Sequence, residues 1–281
     1  MSNIAWLAEE RLQAYAILAQ AGITGLEIAP GIFFHAADDP FMPDDASARE
    51  ALREAADAGL SLVSMQSLLF GVTGAGLFDG AEARAVFEAG MRRAITLAGQ
   101  FGIPNLVFGS PAQRRVPDGM AMEAALAEAA EVFRRLGDAA AAAGTRITIE
   151  ANPAAYGTNF LNTLDEAEAF VALVDHPSIA LILDLGAMHM NASFASVPAR
   201  LPALAPRLNH VHVSEPDLAP APADPAALAP VIRGLRAAGY AKAVSIEMKR
   251  PAQGLAEVRR AVSRMVEAHQ AAHQVEGAIH A

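Results

Sequence analysis

Short β-branched and aliphatic runs alternate along the chain with long alanine-rich segments whose apolar residues recur at helical spacing. The apolar runs predict eight strands, at 2–6, 25–30, 60–66, 104–110, 146–150, 179–185, 208–214 and 243–248. Helical periodicity fills the intervals, at 8–21, 46–58, 82–101, 118–143, 163–175, 196–205, 224–238 and 253–272. Several of these helices run into a glycine that can take the left-handed closing conformation: Gly22, Gly59, Gly102, Gly144 and Gly239. Parallel strands need such crossovers. Eight regular units in 281 residues therefore predict an α/β protein built as a closed (β/α)₈ barrel, with 1–281 as one domain. The stretch APAPADPAALAP at 219–230 reads as a loop entering a helix, not as a domain linker. Neither a Gly-x-Gly-x-x-Gly turn after the first strand nor a phosphate-binding loop is present, which disfavours an open nucleotide-binding sheet.

Composition narrows the chemistry. With 53% hydrophobic and 19% charged residues, the chain can bury a large core. Acidic residues outnumber Lys and Arg by 31 to 21, for a formal net charge of -10, and no basic run tracks a phosphate backbone, so a nucleic-acid partner is not expected. Cysteine is absent, which excludes disulfides, thiolate metal sites and cysteine nucleophiles. Any metal must sit on carboxylates and imidazoles. Near the N-terminus, Glu9, Glu10 and Arg11 interrupt any membrane-length apolar run and no basic segment precedes an apolar one, so a soluble cytoplasmic protein with no membrane partner is expected.

A barrel of this kind builds its active site at the C-terminal ends of its strands. The fifth run ends at Glu150 in TIEANP, the sixth at Asp184 in LILDLG, the seventh at His212 in HVHVS and the eighth at Glu247 in SIEMK. A lone carboxylate ending an apolar run costs several kcal/mol to desolvate. A divalent cation offsets that cost for all the acids together. Any one of them taken singly reads as a solvated loop residue or helix cap, but four on successive strands argue for a shared ligand. Three carboxylates and one imidazole make an oxygen-rich shell, suited to Mn²⁺ or Mg²⁺, with Co²⁺ or Zn²⁺ as alternatives. His210 shares a strand face with His212 but lies one inward position deeper, where a hydrogen-bonded supporting role is expected.

These residues carry a resemblance. From GITGLEIAP to VSIEMKR, and most closely in IEANPAAYGTNFLNT, LDLGAMHMN, HVHVSEPD and SIE, the chain resembles the xylose-isomerase-like TIM-barrel superfamily. It is most similar to the sugar phosphate isomerase/epimerase branch, with ketose 3-epimerases, hydroxypyruvate isomerases and inosose dehydratases as relatives. The resemblance implies one divalent metal held by Glu150, Asp184, His212 and Glu247. It also implies that Glu150 and Glu247 act as acid/base groups on opposite faces of a substrate carbon, and that the protein forms a homodimer. Three departures stand out. His189 lies five residues past Asp184 where the epimerases have Asp-x-x-His, Leu218 stands where they often carry Arg, and Gly157 replaces Glu between Tyr156 and Thr158. The metal centre is thus retained while the sugar contacts are changed.

Around that centre, His189, Gln66, Lys249 and Glu215 are expected to contact substrate, with Glu27 as a further hydroxyl binder or an outward-facing residue. Arg114, Arg115 and Arg250 are read as rim cations for an anionic substrate group, or as solvated charges. The segment GIFFHAADDPF at 31–41 walls the pocket or packs its own loop. The expected function is metal-dependent isomerisation or epimerisation of a small carbohydrate or sugar derivative, by carboxylate proton transfer through a metal-stabilised enediolate. The alternatives are a lyase dehydrating a polyol ketone and a non-catalytic barrel that kept its metal. The zinc-rich, DNA-binding endonuclease IV branch is disfavoured by the charge and by the scatter of the 8 histidines.

Overall fold

The structure, a computed structural model, describes residues 1–279, with 274–279 by backbone alone. Seven strands form one parallel sheet in sequence order: β1 (Gly25–Ile28), β2 (Ser61–Met65), β3 (Asn105–Phe108), β4 (Arg146–Ile149), β5 (Ile179–Asp184), β6 (Leu208–Val213) and β7 (Val244–Ile246). They answer to the second through eighth predicted runs. The first run behaves differently. Ser2 makes a single parallel bridge to Glu27, and its N–H donates to the Ile246 carbonyl at 2.9 Å, while the Glu27 N–H reaches the Met1 carbonyl at 3.0 Å. Residues Met1 and Ser2 thus close the gap between β1 and β7.

The strand expected over 2–6 is corrected to that one bridge, because Asn3–Ala5 turn away as a 3₁₀ helix. Asn3 accepts from the Ala29 N–H at 2.7 Å and donates to the Ala29 carbonyl at 3.3 Å, supplying by side chain the pairing that a longer strand would give.

The crossovers are α1 (Arg11–Gln20), α2 (Pro30–Phe33), α3 (Asp45–Asp57), α4 (Ala81–Phe101), α5 (Met122–Ala142), α6 (Leu164–Val174), α7 (Leu185–Met190), α8 (Val197–Leu204), α9 (Pro225–Ala237) and α10 (Leu255–Ile279). The short α2 and α7 lie inside loops that periodicity alone did not mark. Local chemistry fixes the helix starts: the Asp44 carboxylate accepts from the Ala46 and Ser47 N–H groups at α3, and Thr163 with Glu166 forms a reciprocal cap at α6. Among the described residues no helix is long and apolar enough to cross a membrane.

Strand alternation then sorts the side chains. Leu26, Ile28, Leu106, Ile147, Ile149 and Val211 are buried in the hydrophobic core. Phe87, Phe108, Phe133, Phe170 and Phe160 continue that layer as a chain of ring contacts with centroids 4.9–5.7 Å apart. Glu27, His210, His212 and Ser245, all buried, meet one another inside the barrel. The barrel's centre is therefore polar, and it lies directly beneath the strand ends.

Candidate metal centre

Each of the four acidic or imidazole groups is delivered by the end of a strand. Glu150 follows Ile149 of β4, and Glu247 follows Ile246 of β7. Asp184 closes β5 and caps α7, its carboxylate accepting from the Ala187 N–H at 2.5 Å. His212 sits on β6, in register with Asp184 on one side and Ser245 on the other. One ligand atom from each of the four lies within 4.8 Å of all the others.

His212 is the hub. Its Nδ1 is 3.1 Å from Glu247 Oε2, 3.4 Å from Glu150 Oε1 and 3.6 Å from Asp184 Oδ2. Despite these neighbours, Nδ1 is a buried polar atom with no well-formed hydrogen bond. A buried orphan of this kind is costly, and so are three carboxylates crowded beside it. A divalent cation would accept the nitrogen lone pair and neutralise the carboxylates together, so the residues present fit one.

The electrostatics follow from crowding. Burial, reinforced by the Glu150 and Asp184 charges, pushes the Glu247 carboxyl up to about 7 against the pull of His212. Burial works against a charged His212, but the carboxylates of Glu247 and Glu27 outweigh it and hold the imidazole well above its ordinary range. Burial likewise opposes a charged Glu27, yet His212 and His210 keep its carboxyl well below the usual carboxylate range. Glu27 Oε1 lies 3.0 Å from His212 Nε2, and Glu27 Oε2 lies 2.9 Å from His210 Nε2. His210 Nε2 also approaches Ser245 Oγ at 3.1 Å.

Polar neighbours orient the other carboxylates. Asn152 Nδ2 donates to Glu150 Oε2 at 2.8 Å. Ser214 Oγ donates to Asp184 Oδ2 at 2.9 Å and accepts from the Gly186 N–H at 2.8 Å. At Gly109 an added Cβ would overlap Glu150 Oε2, so only glycine leaves that carboxylate its place. Arg114 is fully buried and donates through Nη1 to the Glu150 backbone carbonyl at 2.8 Å.

Glu150 and Glu247 both line two cavities, of about 450 and 330 Å³. The larger also takes Asp184, Asn152, Tyr156, Glu215, Leu218 and Lys249 into its wall. The smaller takes Gln66, whose Nε2 donates to Ser2 Oγ at 2.8 Å and to Glu27 Oε1 at 3.0 Å.

His189 lines neither cavity. Its ring stacks on Phe194 with centroids 3.9 Å apart and borders a separate hollow of about 90 Å³ behind Glu215. The reason is that α7 begins at Leu185, directly after Asp184, and carries position 189 round to that flank. The rim-cation reading fails for Arg114, which is structural, and Arg250 is engaged with Glu10 at 2.9 Å. Phe33 and Phe34 are core residues that pack edge to face, so they form no lid. Gly157 has φ 87°, so its identity answers a backbone requirement of the turn after β4.

Sequence reasoning passed over Asn152 and Ser214, read Arg114 as a rim cation instead of a support for the Glu150 backbone, and left the facing of Glu27 open. For Glu27 the signal existed: in GLEI, alternation sets it opposite to Leu26 and Ile28.

A sequence-family model described as "Xylose isomerase-like TIM barrel" matches residues 15–268. The chain belongs to this xylose isomerase-like TIM-barrel family. Solved relatives of this barrel share its shape along nearly their whole length. The 3-keto-D-glucoside 4-epimerase from E. coli superposes with a TM-score of 0.72 at 18% identity, over 95% of this chain and 97% of its own. A D-psicose 3-epimerase, crystallised in the presence of D-fructose, gives 0.71 at 18% identity over 93% of each chain. A family 2 AP endonuclease from Brucella melitensis gives 0.66 at 19% identity, over 91% of this barrel and 96% of its own chain. At these identities the likeness is one of fold. No curated protein matches the sequence.

Proposed function

We propose that this protein is a divalent-metal-dependent isomerase or epimerase acting on a small carbohydrate or sugar derivative that carries a carbonyl beside a hydroxyl-bearing carbon. The carrying observation is the orphaned Nδ1 of His212 facing the carboxylates of Glu150, Asp184 and Glu247, with both glutamates lining two cavities. Glu150, Asp184, His212 and Glu247 would hold the cation, which supplies Lewis-acid stabilisation of charge developing on a substrate oxygen.

The remaining chemistry belongs to the protein. Glu150, held by the Asn152 amide, would take a proton from the substrate carbon. Glu247, across from it, would return a proton on the other side. Delivery to the opposite face of the same carbon is epimerisation, and delivery to the neighbouring carbon is isomerisation. Lys249 on the larger cavity's wall gives a phosphate or carboxylate on the substrate a counter-charge. That two neighbours of the same fold are sugar epimerases supports this reading.

The test is deuterium uptake from heavy water into a panel of ketoses, sugar phosphates and keto-inositols, with Mn²⁺ present. The wild-type protein is expected to label at least one substrate, and Glu150→Gln to lose about 10²–10⁴-fold in rate. Undiminished labelling by the variant would remove Glu150 as the base. Labelling accompanied by loss of water from the product would reassign the protein as a dehydratase.

A further inference from the structure

The four proposed ligands leave unexplained a second buried cluster, Glu27 with His210 and His212, whose ligand atoms also lie within 4.8 Å of one another. It has the composition of a metal site. Its distances argue otherwise: Glu27 approaches His212 Nε2 at 3.0 and 3.1 Å and His210 Nε2 at 2.9 Å, which are hydrogen-bond lengths that leave no space for an ion between the atoms. All three side chains are fully buried.

We infer that Glu27 is a positioning residue for the metal centre, holding the Nε2–H form of His212 so that the opposite nitrogen, Nδ1, presents its lone pair to the cation. This inference rests on the proposed metal site. Three features of the chain carry it. An imidazole has one nitrogen on each side, and in His212 one side is engaged by Glu27 while the other faces Glu150, Asp184 and Glu247. A carboxylate is acceptor-only when ionised, so the nitrogen beside it must be the one that keeps its proton. Glu27 is itself fixed from two further sides, by Gln66 Nε2 at 3.0 Å and by His210 Nε2 at 2.9 Å, so it cannot swing away from His212.

Gln66 thereby joins the metal centre from below. Its amide reaches Ser2 Oγ at 2.8 Å, tying the carboxylate's position to the bridge that closes the barrel between β1 and β7. Glu27 thus faces His212 inside the barrel, while Gln66 both holds Glu27 and lines the smaller cavity. Outer partners of a metal-bound histidine typically contribute 10–100-fold to metal affinity by fixing its tautomer and raising its basicity.

Two measurements test this. Isothermal titration of chelator-treated protein with Mn²⁺ should show Glu27→Gln binding 10–100-fold more weakly than wild type, with its far-UV circular dichroism unchanged. The glutamine keeps the volume and one acceptor but loses the charge. Equal affinity in the two proteins would overturn the positioning role while leaving the metal site standing; failure of the wild type to bind Mn²⁺ would instead remove the site on which the inference rests. Should Glu27→Gln not fold, histidine-selective ¹⁵N NMR of the Mg²⁺-loaded wild type decides the matter. His212 is expected to carry its proton on Nε2 alone, and a proton on Nδ1 would refute the proposal.

Discussion

With no cation bound, stability should fall as pH rises, and Glu247 is the residue through which to measure it. Its carboxyl moves from an ordinary 4.5 to about 7 because it is buried next to Glu150 and Asp184. Between those values the folded protein keeps a proton that the unfolded chain has released, so the folded state is increasingly disfavoured as pH climbs through the window. At 1.36 kcal/mol per pH unit, the loss between pH 5 and pH 8 is about 2.5 kcal/mol. Glutamine at 247 mimics the neutral carboxyl and cannot titrate. In chelator, the difference in melting temperature between Glu247→Gln and wild type should therefore grow by about 4 °C in favour of the variant from pH 5 to pH 8. Scanning calorimetry at the two pH values reads this directly. Added Mn²⁺ should restore the wild type most strongly at pH 8, where the carboxylate is already ionised. Parallel pH dependences in the two proteins would refute the assignment of a strained, buried carboxyl to position 247.

Other consequences follow from particular contacts. Gly109→Ala places a methyl group against the Glu150 carboxylate, so Mn²⁺ affinity measured by titration should fall while the fold is destabilised by only about 1–3 kcal/mol. Phe133→Ala removes a ring that touches Phe87, Phe108 and Phe170, and urea unfolding should show a loss of about 3–5 kcal/mol with the metal site unchanged. Lys249→Ala should raise KM for phosphorylated or carboxylated substrates and leave neutral ones nearly unaffected, a comparison made by steady-state kinetics.

Much of the barrel is written along the chain. Period-two apolar runs and alanine-rich helical segments mark seven of the eight staves, because burying one face against another imposes those periods on the residues themselves. The first stave was misjudged over 2–6, since its length depends on Asn3 finding the backbone of Ala29, 26 residues away. The short α7 was missed for a related reason. Its start is set by Asp184, a residue that reads equally well as a ligand, a cap or a loop acid until its neighbours are known.

Where each apolar run stops fixes which side chains end the successive strands, and so groups Glu150, Asp184, His212 and Glu247. That much is local. It takes the folded barrel to set His212 Nδ1 against the three carboxylates while Nε2 is engaged by Glu27, 185 positions away in the chain. The tertiary structure decides too that Arg114 supports the Glu150 backbone from inside and that His189 points to a different hollow. Such facts depend on which nitrogen, which oxygen and which flank meet when the barrel closes. Chain separation carries no information about them, because the closure brings the first residues against the last strand and sets the polar groups face to face.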